Sequence, residues 1–482
     1  MERNTMESLY DQSQFREMGH RLIDLLADHI DNTTSGKNPK TIDWAEPSVE
    51  LESWKDFFNN GNADDFFEKV IHRTTHTHHP KYIGHQVGVP APITALTGLL
   101  ASLLNNGMAV YEMGMSPTAM ERIVTDHICK KVGYGEASRG LLTSGGTLAN
   151  LTALLSARKA KAKHNVWTEG SSQQLGIMVS EEAHYCVDRA ARIMGLGDQG
   201  IIKVPVTKDF TMDTSQLENY HAKALENGVH VFAIVGSAPS TATGIYDDLE
   251  AIARFAKEKG LWFHVDGAHG GAAIFSKKYK HLLAGIEKSD SVVIDGHKML
   301  MMPTLTTALL YREGIHSHTT FVQKADYLLT HTDEEDWYNG GKRTFECTKS
   351  MMGLHWYILL KLYGDDIFDQ NVTKLYDLGK EFAQLIHSDS NFELAIEPMS
   401  NILCFRYVAP QLSLEQLNSL NQSIRQQLLE DGEFYMVQTQ LRGVHYLRTS
   451  LMNPFTTMEH LGWLLEKIKT LAEKLMAPEP TL

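Results

Sequence analysis

The chain has 482 residues, 43% of them hydrophobic and 22% charged, with a formal net charge of −14. This is a globular composition with length for two or three domains, and its acidity argues against nucleic-acid phosphates or anionic lipid as partners. The four cysteines, Cys129, Cys186, Cys347 and Cys404, make no CxxC pair and no disulfide framework, and no apolar run is long enough to span a bilayer. The expectation is a protein with reduced thiols in the cytoplasm, without nucleic acid, membrane or metal among its partners.

Taken in chain order, Phe15, Met18, Leu22, Leu25, Leu26 and Ile30 recur at helical spacing, which predicts an amphipathic helix over 7–31. The Asn32–Pro39 stretch stops it. One such helix cannot bury its own face and must dock on the main body or on a second subunit. Residues 72–90 are a histidine-rich loop, with His72, His76, His78, His79 and His85. These lack HExxH and any carboxylate or cysteine set at ligand spacing, so a pocket-lining or solvent role is favoured over a metal.

A helical stretch is expected over about 91–133. Strands and helices then alternate, with strands at Ile177–Val179, Val229–Val235, Leu261–Val265, Ser291–Ile294 and Thr306–Tyr311. Continuous apolar strands alternating with helices imply an α/β fold with a mostly parallel sheet covered on both faces. Helical runs at Met351–Tyr363 and 373–387 lead into strands at Ile402–Tyr407 and His445–Ser450, and a last amphipathic helix spans about 457–475. The organisation read from this is an N-terminal helical arm over 1–75, a large domain over 76–370 and a small α+β domain over 371–482.

Several stretches carry chemistry. Thr143-Ser-Gly-Gly-Thr147 stands between a strand end and a helix start. Gly145 and Gly146 let backbone amides approach an anion, Thr147 adds a hydroxyl, and the helix dipole favours negative charge, which describes a phosphate cradle. A plain strand–helix turn would look the same. His184 follows a strand, where open α/β sheets bind ligands. Gly195-Leu-Gly-Asp-Gln-Gly200 matches GxGxxG but follows a helix, the reverse of the dinucleotide order, and reads as a helix stop and turn.

The strongest signal is Asp290-Ser-Val-Val-Ile-Asp-Gly-His-Lys298. A lysine at the end of a buried strand is shielded from water, which favours the neutral amine that attacks a carbonyl. About thirty residues earlier a second strand ends in Asp266-Gly-Ala-His-Gly-Gly271. An amine at one strand end and a carboxylate at another suit a pyridinium cofactor bound as a Schiff base: Lys298 for its aldehyde, Asp266 for its ring nitrogen.

TSGGTLAN, AHYCVDRAARIMGLG, HVDGAHGG and the His-Lys pair of DGHKM occur in that order, followed by Leu447-Arg-Thr-Ser-Leu-Met-Asn-Pro454. With these motifs the chain resembles the group II pyridoxal-phosphate decarboxylases, which include glutamate, 2,4-diaminobutyrate, histidine and aromatic amino acid decarboxylases. The resemblance runs from about His79 to the C-terminal helix. It implies the fold-type I architecture: a mostly parallel central sheet with helices on both faces plus a smaller C-terminal α+β domain. It also implies a homodimer with the active site at the interface and a swapped N-terminal arm.

By residue, the resemblance implies that Lys298 forms the internal aldimine with pyridoxal 5′-phosphate, Asp266 pairs with the ring nitrogen and Ala268 packs on the ring. His184 stacks on the opposite face. Gly145, Gly146, Thr147 and His297 hold the phosphate, with Thr241 near the cofactor. Arg448 holds a substrate carboxylate, and His85 falls at a position that senses the substrate side chain. Tyr338, in the stretch His331–Gly341, is the candidate that reprotonates the product carbon. The chain departs from the family in having Asp295-Gly296 where Asn-Pro is frequent, and Cys186 where serine is frequent.

The expected activity is decarboxylation of an L-amino acid to its amine. An aminotransferase or carbon–carbon lyase with the same cofactor, a metal-dependent hydrolase built on the 72–85 histidines, and a non-catalytic interaction protein are the competing readings.

Overall fold

The computed structural model describes residues 6–321 and 337–477. The chain forms two compact units. One comprises 86–383 with 396–403. The other comprises the N-terminal 85 residues with 384–395 and 404–482.

The larger unit is built on a seven-stranded sheet. Its strands are β1 (Arg139–Thr143), β2 (Leu175–Ser180), β3 (Ile201–Val204), β4 (His230–Ser237), β5 (Trp262–Asp266), β6 (Ser291–Asp295) and β7 (Thr307–Tyr311), in the order β1-β7-β6-β5-β4-β2-β3. Only β7 runs against the others, pairing antiparallel with both β1 and β6. Every residue of β2, β5, β6 and β7 is buried, as the continuous apolar runs predict for a sheet covered on both faces. The helices Gly146–Lys161 and Tyr185–Ile193 bury Ala149, Ala153, Leu154, Val187 and Ala190 in the core that Ile177, Phe232, Val235 and Trp262 also line.

Strand β1 is an edge strand, and its outward backbone groups are met by side chains rather than by another strand. Leu142 donates its N–H to Glu121 Oε1 at 3.0 Å, Lys349 Nζ donates to the Leu142 carbonyl at 2.6 Å, and Arg343 Nη2 donates to that of Gly140 at 3.1 Å. Lys349 and Glu121 also pair directly at 2.5 Å. Paired backbone and a neutralised buried lysine fix the strand whose end carries the glycine turn.

The helical stretch expected over 91–133 is two helices, Pro92–Leu104 and Tyr111–Val132. Asn105 adopts a left-handed conformation (φ 48°) and ends the first, a position asparagine tolerates better than most residues. The GxGxxG segment is a turn: Gly195 and Gly197 take positive φ between the Tyr185–Ile193 helix and β3.

A second sheet, whose residues other than Ile402 and Leu403 belong to the other unit, consists of β8 (Phe392–Leu394), β9 (Ile402–Tyr407), β10 (Val437–Leu441) and β11 (Val444–Ser450) in the order β10-β11-β9-β8. The N-terminal segment is tied to it by hydrogen bonds. Ser450 donates its N–H to the Ile83 carbonyl at 2.8 Å, and Asn453 Nδ2 donates to those of Thr77 and His79. The expected 7–31 helix is a short turn, Met6–Leu9, then a helix Gln12–Thr34 capped by Asp11, whose carboxylate accepts from the N–H groups of Ser13 and Gln14. Phe15, Met18 and Ile23 stay exposed on it.

Candidate active site

Because β7 alone is reversed, the carboxyl ends of β1, β2, β4, β5 and β6 all lie along one edge of the sheet. The segments that leave those ends carry Gly145–Thr147, His184, Thr241, Asp266–Ala268 and His297–Lys298. Sequence positions up to 153 residues apart thus share the edge where open α/β sheets bind ligands.

Lys298 Nζ lies 3.0 Å from Asp295 Oδ2. Beyond the shielding expected of a strand-end amine, Lys298 thus has a carboxylate partner three residues away. Asp295 is almost fully buried, and its Oδ1 accepts from Thr307 Oγ1 at 2.6 Å. The antiparallel register sets Thr307 directly opposite Asp295. Burial pushes the Asp295 carboxyl up, but the Lys298 ammonium, His297 and the Thr307 hydroxyl outweigh it and hold it below the ordinary carboxylate value. His297 Nδ1 lies against the Thr306 backbone, 3.0 Å from its carbonyl and 3.3 Å from its N–H, and Nε2 faces Asp295 at 3.6 Å. Gly146 fits closely: a Cβ there would stand 3.1 Å from Asp295 Oδ1 and 3.4 Å from Ala268 Cβ.

Asp266, at the end of β5, accepts from the Ala268 N–H at 3.2 Å and from the Cys186 thiol at 3.8 Å. A buried chain of hydrogen bonds stands behind it. Asn150 Nδ2 donates to Cys186 Sγ at 3.5 Å, His264 Nε2 donates to Asn150 Oδ1 at 2.7 Å, and Ser291 Oγ lies 2.8 Å from His264 Nδ1. Trp262 Nε1 donates to the same serine at 2.9 Å. Full burial pushes His264 down to about 4, so it is neutral, with one ring nitrogen donating and the other accepting. Burial also pushes the Cys186 thiol up and keeps it a donor.

His184 caps the Tyr185–Ile193 helix, its Nδ1 accepting from the Cys186 N–H at 3.3 Å. Burial holds its pKa below the ordinary histidine value, against the pull of Asp266. Gly145 takes φ +101° at the head of the Gly146–Lys161 helix, a conformation that favours glycine. Thr147 is exposed in the first turn of that helix, and Thr241 is half-buried in the loop after β4. Ser144, in the same glycine turn, is engaged through both N–H and hydroxyl by Glu346.

The structure brings together Gly146, Ala268, Asp295, His297 and Lys298, and links Asp266 to the His184 segment through Cys186. Tyr338 instead packs its ring against Tyr111 and Trp337, at 5.7 and 5.8 Å. The acidic stretch Thr332–Asp336 before it lies outside the described residues. His85 and Arg448 belong to the other unit, where His85 packs on Tyr435 at 5.8 Å and Arg448 Nη1 donates to Ser450 Oγ at 3.0 Å. Burial lowers the pKa of both. Of the histidine-rich loop, His79 meets backbone groups with both ring nitrogens, Nε2 at the Asn38 carbonyl and Nδ1 at the Lys81 N–H.

Sequence reasoning missed Thr307, Asn150, His264 and Gly88. Gly88 donates its N–H to the His297 carbonyl, and a Cβ there would strike the Lys298 carbonyl. Thr307 is marked only by the register of β6 with β7, which the strand pattern does not give. Nothing local marks Gly88, which reaches the lysine from over two hundred positions away.

A family model described as the pyridoxal-dependent decarboxylase conserved domain matches residues 50–408. The chain belongs to that family. This decarboxylase is 26% identical over 478 residues to an aromatic-L-amino-acid decarboxylase of Bacillus atrophaeus, covering 97% of each chain. It is 28% identical over 423 residues to an L-2,4-diaminobutyrate decarboxylase of Acinetobacter baumannii (85% and 83% covered). Among solved structures it resembles the glutamate decarboxylase domain of a Vibrio parahaemolyticus diaminobutyrate-pyruvate transaminase and L-2,4-diaminobutyrate decarboxylase, with a TM-score of 0.81, 27% identity and 94% and 96% coverage. Mouse CSAD shares the fold at a TM-score of 0.87 and 22% identity, with 95% and 99% covered.

The architecture is therefore fold-type I, and the enzyme is a pyridoxal-phosphate-dependent amino acid decarboxylase. The residues fit the cofactor: an amine at one strand end, a carboxylate at the neighbouring strand end, and a helix N-terminus where Gly145 takes a positive φ and a Cβ on Gly146 would crowd Asp295.

Proposed function

We propose that this decarboxylase releases CO2 from an L-amino acid with its own residues in the following roles. Pyridoxal phosphate supplies an electron-accepting ring for the electrons left at Cα when CO2 departs. Lys298 binds the cofactor's aldehyde and gives way to the substrate amine. Asp266, held by the Cys186 thiol and the Ala268 N–H, keeps a proton on the ring nitrogen. Ala268 and His184 flank the ring, and a neutral His184 adds no charge there. The N–H groups at Gly145 and Gly146, with Thr147 and His297, hold the phosphate, and Thr241 lies beside the cofactor. Tyr338 delivers the proton to Cα. Arg448 and His85 are assigned to the substrate's carboxylate and side chain.

The observation that supports this reading best is the convergence of Lys298, Asp266, His297 and Gly146 on one sheet edge. A homodimer is part of the proposal, with residues 1–75 as a swapped arm. Its support is apolar surface left bare on the single chain: Phe15, Met18 and Ile23 on one helix, and Leu96, Leu99, Leu100 and Leu103 on another. A cytoplasmic location agrees with four cysteines in thiol form.

The relatives act on aromatic amino acids, L-2,4-diaminobutyrate and aspartate by their names. The test is a panel of L-amino acids, including these and glutamate, assayed for CO2 and amine. Stoichiometric CO2 and amine from one member without added keto acid is expected. Turnover that needs a keto acid and releases no CO2 would make the enzyme an aminotransferase instead.

A further inference from the structure

The cradle that the cofactor's phosphate must enter already has a carboxylate beside it. Asp295 Oδ1 is held by Thr307 Oγ1 at 2.6 Å, and its Oδ2 lies 3.0 Å from Lys298 Nζ and 3.6 Å from His297 Nε2. The Cβ that Gly146 lacks would stand 3.1 Å from Oδ1. Gly146 and His297 are the groups assigned above to the phosphate, and Lys298 the one assigned to the aldehyde. Asp295 is 2% exposed, so little water intervenes to screen it.

We propose that Asp295 is a resident anion of the cofactor site that balances Lys298 in the cofactor-free chain and weakens the hold on the cofactor's phosphate by like-charge opposition. The inference rests on the site reading above and deepens it: the enzyme's preference for the phosphorylated cofactor is set partly by a residue that opposes the phosphate.

The groups around Asp295 decide whether it carries its charge. Lys298 and His297 favour the carboxylate, and Thr307 donates to it. The elements packed beside it bring Asp266 from β5, His184 from the cap of the Tyr185–Ile193 helix and Cys186 from its first turn. Glu346 adds a second carboxylate on Ser144 of the glycine turn. His184 and Cys186 are both shifted toward their neutral forms. The positive charges that touch Asp295 are thus on Lys298 and, when protonated, His297. Binding the aldehyde engages Lys298, leaving Asp295 to face a phosphate with less compensation.

The test compares two ligands on cofactor-free protein: pyridoxal phosphate, and pyridoxal, which lacks the phosphate. Dissociation constants come from quenching of protein fluorescence, for which Trp356, packed against Gly296, is a built-in reporter. Any effect on Lys298 reactivity acts on both ligands, so the ratio of the two constants isolates the phosphate. Asp295→Asn is expected to shift that ratio about tenfold or more in favour of pyridoxal phosphate. Asp295→Ser, which removes the charge with a different shape, is expected to do the same, so one folded variant suffices. Thr307→Val keeps the charge and should leave the ratio within about threefold.

Equal shifts for both ligands, or a ratio moved toward pyridoxal, would overturn the proposal. So would a Thr307→Val effect as large as that of Asp295→Asn, which would make packing the cause. A wrong assignment of Lys298 would show separately, as a cofactor bond that survives Lys298→Ala.

Discussion

The Cys186 thiol donates to Asp266 Oδ2 at 3.8 Å, and Asn150 Nδ2 donates to the same sulfur at 3.5 Å. The carboxylate assigned to the cofactor's ring nitrogen is therefore oriented from behind by a buried, neutral thiol. Cys186→Ser preserves a donor and should retain most of the turnover. Cys186→Ala removes it and should lower kcat by about tenfold, the worth of one hydrogen bond to a charged group. The absorption band of the bound cofactor should shift with kcat in the alanine variant. Equal kcat in both variants would show that the thiol only packs.

The same network makes the fold sensitive to acid. His264 is fully buried with a pKa of about 4, against roughly 6.5 in an unfolded chain. As pH falls, the unfolded chain takes up this proton first, so stability present above pH 6.5 is lost progressively down to pH 4. The loss from this group alone is on the order of 3 kcal/mol. Urea unfolding at several pH values should show a shallower decline for His264→Gln than for the unmodified chain. Parallel declines would place the acid sensitivity elsewhere.

Much of this site could be read from the sequence because its parts are local. Lys298, Asp266 and the glycine turn each sit where an apolar strand meets polar residues, and alternation of strands and helices brings strand ends to one edge. Asp295 was visible too, but only as a departure from the family's Asn-Pro. Its bond to Thr307 depends on the antiparallel register of β6 and β7, which no strand pattern encodes. The two-helix break at Asn105 was missed because the apolar spacing on either side of it is helical; one left-handed residue ended the first helix.

Gly88 offers a test of close packing against the lysine segment. Its N–H bonds to the His297 carbonyl, and an added methyl would push on the Lys298 backbone. Gly88→Ala should cost about 1–3 kcal/mol through overpacking and lower the thermal midpoint by several degrees. Retained cofactor, read from its visible absorbance after gel filtration, should fall with it. An unchanged midpoint would mean that the segment yields without strain.

Tyr338 is the proposed proton donor, and in the single chain its ring meets Tyr111 and Trp337. Tyr338→Phe keeps those ring contacts and removes only the hydroxyl. It should bind cofactor and substrate normally but form amine at least about a hundredfold more slowly, with carbonyl by-products appearing, as expected for loss of a general acid. Product analysis by mass spectrometry separates the two outcomes. Normal amine yield and rate would move the role to another group, with His184 next to be tested.

The central claim is that Lys298 carries the cofactor, and borohydride reduction followed by peptide mass spectrometry tests it most directly. The expected result is a yellow protein whose reduction attaches one pyridoxyl phosphate to the peptide containing Lys298, and a Lys298→Ala variant in which no lysine is labelled and the cofactor is released after reduction as its free alcohol. A label on a different lysine, or a reducible bond that persists in Lys298→Ala, would contradict it.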